Sequence, residues 1–212
     1  MNSQTPKFRI CFARSKTLAA LSILFGAALL ALTGLQPALA QATPASVFRD
    51  LAGVKAECQR VAKLHVQRRL VGNDDRLEKS LNRALAGLDR LGSHAPDWIK
   101  ISKQPESAGR VMADMKALRT VAATPAASDG ALKAVIDTAD RCTADADELL
   151  KGIQGAGAGG RAVSLAARTL YLSQRLPRDW LLLHSKEKFP GITAETTTQA
   201  REEMNSALQQ LA

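Results

Sequence analysis

Aromatic residues, histidine and cysteine are scarce in this chain: its 212 residues include two Trp, one Tyr, five Phe, three His and three Cys. None of His65, His94 and His184 stands four residues from another His or from a Cys, and there is no Cys-x-x-Cys-His. The ligand spacing of a zinc site and the attachment motif of a haem are therefore missing, and no metal or cofactor is expected. With so few partners available, no nucleophile, base and orienting acid can be assembled, and the chain reads as a non-enzyme. No basic run is interleaved with aromatics as in single-strand binders, which makes nucleic acid a poor partner. No segment alternates apolar and polar residues as a half-buried strand does. A core short of aromatics must be built from Leu, Val and Ala, a composition that favours helices over strands.

Acids are also absent from the first 40 residues, where Lys7, Arg9, Arg14 and Lys16 precede the apolar run Leu18 to Leu32. Ala38-Leu39-Ala40 then places small residues at the minus-three and minus-one positions of a signal-peptide cleavage site. Residues 1–40 are expected to be an export signal cleaved after Ala40, with the product periplasmic. An uncleaved membrane anchor is the rival, but the run is shorter than the roughly 20 residues a spanning helix needs. The whole chain carries +9, with 29 basic residues against 20 acids. Removing the four basic residues of the signal leaves 25 minus 20, or +5, for residues 41–212. That mild excess suits a small anion or an anionic surface.

Residues 41–212 are enough for one core. Val47, Leu51, Val54, Cys58, Val61 and His65 step by four and three, with Ser46 as N-cap and Gly72 as a stop. Asn73-Asp74-Asp75 opens a second helix carrying Leu77, Leu81, Ala84, Leu88 and Leu91. A loop with Gly92, Pro96 and Pro105 leads to a third helix with Val111, Met115 and Leu118. Ser128 and Asp129 start a fourth with Leu132, Val135, Ala139, Cys142, Ala146, Leu149 and Ile153. The glycine-rich stretch Gly152 to Gly160 loosens the chain before a fifth helix, Arg161 to about Lys186, with a kink expected after about Ser173 from Pro177. After the Pro190-Gly191 turn, Ala200, Met204, Ala207 or Leu208, and Leu211 mark the last. The expectation is an all-α, up-down bundle of about six helices.

Two cysteines of the bundle, Cys58 and Cys142, fall on apolar seams. In an oxidising compartment a disulfide between the first and fourth helices and a pair of buried free thiols both fit. The fifth helix carries Arg161, Arg168 and Arg175 one above another, with Val163, Ala166, Leu170 and Leu181 roughly opposite. Such charges can form a solvated face, with Arg175 paired to Asp179 four residues on. They can also seek an anion if Arg168, among Leu165, Tyr171 and Leu172, is partly desolvated. In that case Arg168 and Arg175 hold the anion, with Ser164 or Ser173 adding hydroxyl donors.

The segment Ala166-Ala167-Arg168-Thr169-Leu170-Tyr171-Leu172-Ser173-Gln174-Arg175-Leu176 resembles the signature Ala-Gly-Arg-Gln-Arg-Met-Leu-Ser-Gln-Arg-Met. That signature belongs to the type IV pili methyl-accepting chemotaxis transducer N-terminal domain, a periplasmic helical module related to the sensor domains of nitrate/nitrite histidine kinases. Leu-Ser-Gln-Arg and the Ala-x-Arg seven residues before its Arg match; Ala167 replaces the Gly, Leu170 the second Arg and Tyr171 the Met. The second Arg is an anion contact in the nitrate sensors. The resemblance implies a sensory module that binds a small anion such as nitrate or nitrite through Arg168, Arg175 and Gln174. It further implies a homodimer, or a membrane-bound chemoreceptor or sensor kinase as partner. No kinase or receptor signalling part follows in the sequence, so occupancy would pass to a separate transducer. The alternative is a structural or interaction protein that docks its basic helix onto a membrane-protein or pilus partner.

An internal repeat is expected as well. Cys58-Gln59-Arg60-Val61-Ala62-Lys63 aligns with Ser173-Gln174-Arg175-Leu176-Pro177-Arg178 at an offset of 115. Asn82 to Leu88 aligns with Asn205 to Leu211. Repeat A spans about 47–92, connecting helices about 105–153 and repeat B about 161–212, with Gly53 standing where Arg168 stands in the second copy.

Overall fold

The computed structural model describes residues 42–72, 74–123, 128–154, 161–185, 189 and 191–211. The export signal, its cleavage point and most of the glycine-rich stretch lie outside the described residues. Among the described residues seven helices follow in order: α1 (Pro44–Val71), α2 (Asp75–Gly92), α3 (Ala95–Ser102), α4 (Pro105–Ala123), α5 (Asp129–Gln154), α6 (Arg161–Leu183) and α7 (Ala194–Leu211). No strand occurs among the described residues, and the architecture is an all-α bundle. No described helix is long and apolar enough to cross a membrane.

Local chemistry sets the helix ends. Thr43, not Ser46, caps α1: its hydroxyl accepts from the Ser46 N–H at 3.1 Å, while the Ser46 hydroxyl accepts from the Thr43 N–H at 3.0 Å. Such a reciprocal box satisfies two donors that a helix start leaves open, and Pro44 sits where no N–H is needed. Gly72 ends the helix at φ 95°, a conformation side chains disfavour. Asp74 caps α2 by accepting from Arg76 and Leu77, and the Ser128 hydroxyl accepts from Ala131 at the start of α5. The expected loop after Gly92 instead contains α3. Pro96 falls within its first turn, where proline is tolerated, and Lys103 closes it in the left-handed region at φ 57°. This extra helix buries Trp98 completely.

The core follows the three-four rhythm read from the sequence. Val47, Leu51, Val54, Cys58 and Val61 of α1 are buried against Leu81, Ala84, Leu88 and Leu91 of α2 and the apolar seam of α5 from Val135 to Ile153. Each such fully buried aliphatic side chain contributes about 1.5–3 kcal/mol. α1 is the central helix, packed on α2, α5 and α6; α4 packs on α5 and α7 on α6. Ion pairs show the directions. Asp114 meets Arg141 whereas Arg110 meets Asp145 and Glu148, so α4 and α5 are antiparallel.

α6 departs from expectation. Val163 and Leu170, assigned to its apolar face, are 42% and 47% exposed, and its buried residues are Leu172, Arg178, Asp179 and Leu182. The interior contact of α6 is thus made largely by a charged pair, and the helix continues through Pro177 to Leu183.

Candidate functional site

Two polar arrangements meet on α6. Deep in the bundle, Arg178 is 1% exposed and Asp179 4%. The Arg178 guanidinium donates to Gln59 of α1 at 2.7 Å, to Asp140 of α5 at 2.6 Å and to Asp179 at 2.7 and 2.8 Å. Burial opposes its charge, but Asp140 and Asp179 outweigh that and hold it above the usual arginine value. Gln59 also donates to Asp140 at 2.9 Å and to Thr143 at 3.0 Å. A buried guanidinium is tolerated only when its donors are met in this way.

Arg175 extends the network outward, donating to the second Asp179 oxygen at 3.1 Å and to the Tyr171 hydroxyl at 2.8 Å. Burial opposes its charge too, and Tyr171 with Asp179 more than restores it. Burial raises the Tyr171 phenol above its ordinary value despite Arg175. Lys55 of α1 lies 4.8 Å from the Tyr171 ring centre, a cation–π contact, and pairs with Asp147 of α5.

Tyr171 and Arg175 form one end of a cleft of about 540 Å³ where α1, α5, α6 and α7 meet. Its charged lining comprises the cations Lys55, Lys151, Arg161, Arg168 and Arg175 and the carboxylates Asp147 and Glu203. Phe48, Leu150, Leu165 and Ala167 supply an apolar wall. The seven-residue spacing of Arg161, Arg168 and Arg175 places successive arginines about 10 Å apart along one side.

Of the residues singled out in the sequence, Arg168, Arg175 and Ser164 line this cleft. Ser173 and Gln174 do not. The Ser173 hydroxyl donates to the Leu170 carbonyl at 2.7 Å, and Gln174 accepts from Lys63 at 2.6 Å, so both serve the packing of α6. Arg168 is not desolvated as expected: its side chain is 58% exposed and forms an ion pair with Glu203 of α7. The expected Arg175–Asp179 pair is present. Both arginines therefore already have a carboxylate from the protein. Lys55, Lys151, Asp147 and Glu203 were missed because they come from three other helices and carry no local pattern. Arg178 had a signal, since the expected repeat aligns it with Lys63.

Cys58 and Cys142 are free, fully buried and face each other. Burial, and then the neighbouring Cys142 thiol, push the Cys58 thiol well up. Among the described residues no group of three or more His, Cys, Asp or Glu could hold a metal ion.

No protein-family model matches the chain, and neither a curated protein nor a solved structure matches it.

Proposed function

We propose that the chain is an exported, non-enzymatic sensory module that binds an anion in the cleft between α1, α5, α6 and α7 and hands its occupancy to a separate transducer. The carrying observation is the charge imbalance: five cations line one cleft of ligand size with two carboxylates, and Asp179 behind Arg175 is the third carboxylate that serves them. The resident carboxylates do not block the reading. In the Arg168–Glu203 pair the arginine is 58% and the glutamate 33% exposed, and pairs that reach solvent contribute only about 0–1 kcal/mol. An incoming anion exchanges for Glu203 at little cost and gains Arg161 and Lys151 as additional cations. The resemblance of Ala166 to Leu176 to chemotaxis-transducer N-terminal domains supports a periplasmic sensory role. It also keeps nitrate and nitrite among the anions to test.

Calorimetric titration with nitrate, nitrite, acetate and phosphate tests the proposal. Binding by at least one anion, weakened several-fold by Arg168→Ala and by Arg161→Ala, is the expected result. Absence of heat with all of them removes it.

One observation favours a second reading, an interaction protein without a small ligand. Trp180 is 55% exposed beside Leu176 and Pro177 at an apolar hollow of about 280 Å³ between α6 and α7. A stable partner in pull-down that is lost with Trp180→Ala, together with no anion binding, selects this reading.

A further inference from the structure

We infer that the ligand of the α1/α5/α6/α7 cleft is an organic carboxylate with an apolar body, and that its carboxylate takes the place on Arg168 now filled by Glu203. The inference rests on the cleft being the binding site. Three features of the lining carry it. First, a small inorganic anion fills only a fraction of about 540 Å³. It would leave the wall of Phe48, Leu150 and Leu165 facing water, whereas an apolar body covers that wall and adds the burial term.

Second, the protein displays the preferred head group itself. Both anions that reach into the cleft, Asp147 on Lys55 and Glu203 on Arg168, are carboxylates. The planar guanidinium fork matches two carboxylate oxygens, and Glu203 is the more replaceable of the two partners because it comes from α7, which packs on α6. Third, two cations that line the same cleft as Arg168 have no resident carboxylate among the described residues. Among the described residues Arg161 is met by the neutral side-chain amide oxygen of Gln210 at 2.5 Å and has no carboxylate partner, and Lys151 has no ion-pair partner. At the other end Arg175 is committed to Asp179 and Tyr171. The head group thus sits at Arg161, Lys151 and Arg168, and the body runs toward Leu165 and Tyr171. Displacing Glu203 also removes one of the two α6–α7 side-chain bridges among the described residues, which links occupancy to the docking of the last helix.

The test is a calorimetric series of acetate, butanoate, hexanoate, benzoate, nitrate and phosphate on the purified protein, repeated with Arg168→Ala and Glu203→Gln. Each methylene buried on the wall strengthens binding up to about fourfold, so hexanoate is expected to bind at least about tenfold tighter than acetate. Arg168→Ala weakens hexanoate binding, while Glu203→Gln, which removes the internal competitor, strengthens it up to about fivefold. If nitrate or acetate binds as tightly as hexanoate, the apolar body is wrong while anion binding in the cleft stands. Hexanoate binding unchanged by both substitutions places the ligand elsewhere and overturns the inference. Silence with every anion removes the cleft reading itself.

Discussion

Gln59 of α1 accepts a 2.7 Å hydrogen bond from Arg178 of α6, and the residues aligned with them at the offset of 115 make the reciprocal bond, Gln174 of α6 accepting from Lys63 of α1 at 2.6 Å. Each glutamine meets the cation four residues further along in the other copy. α1 and α6 lie parallel, with Lys55 against Tyr171 and Val66 in one apolar cluster with Leu182 further along, and the two bonds cross between them in opposite senses. The two sides are not equal in environment. Arg178 is buried and has two carboxylates, whereas Lys63 is half-buried, and burial followed by the Arg60 charge lowers its pKa.

That asymmetry makes Arg178 the costlier of the two to lose. Arg178→Met leaves Asp179 nearly buried with Asp140 and Gln59 short of a donor, and such broken buried pairs cost about 3–5 kcal/mol. Urea denaturation is expected to show a loss of this size, with the Lys63→Met change costing clearly less. Equal losses would mean that the buried network is not centred on Arg178.

His65 makes stability depend on pH. Its ring is fully buried, and the Ala122 carbonyl nearby is too poorly placed to make a regular hydrogen bond to either nitrogen. Burial, then the Arg68 charge, lowers its pKa below the ordinary 6.5, against weaker opposition from the Ala122 carbonyl and Glu78. The folded chain keeps His65 neutral where the unfolded chain binds a proton, so this contribution is complete above about pH 6.5 and is lost as pH falls through the folded value. Thermal melts between pH 7.5 and 5 should show the midpoint falling on acidification, and His65→Gln should flatten that slope. A variant with the same slope assigns it to other groups.

The Cys58 thiol is expected to stay protonated and unreactive in the folded protein, because burial raises its pKa and only the thiolate is nucleophilic. Alkylation followed by mass spectrometry should label neither Cys58 nor Cys142 in the native state and both in denaturant. A mass two hydrogens lower that accepts no label even in denaturant identifies the pair as a disulfide. Rapid native labelling contradicts the burial.

Gly53 stands close against α2. It occupies the repeat position of Arg168, and a Cβ added there would lie 3.2 Å from a Leu91 methyl of α2. A side chain at position 53 would press on Leu91 of α2, whereas Arg168, aligned with Gly53, lines the open cleft. Gly53→Val should cost about 1–3 kcal/mol by overpacking, read as a lower denaturation midpoint with an unchanged denaturant slope. No loss would indicate that Leu91 repacks freely.

The sequence by itself determined the helical class, the apolar seams of α1, α2, α4 and α5 and most helix ends, because periodicity and capping act over a few residues. Val47, Leu51, Val54, Cys58 and Val61 needed no knowledge of their neighbours to be placed inside. It also aligned Lys63 with Arg178, without showing that the two helices touch. Only the tertiary structure decided what surrounds the arginines. Arg178 became interior, Arg168 found Glu203 and Arg175 found Tyr171 and Asp179. Whether a guanidinium faces water, a carboxylate or an open cleft depends on residues 30 to 120 positions away, such as Glu203, Asp140 and Gln59. Side-chain charge is a property of the residue, but its solvation and its partner are properties of the packed helices around it.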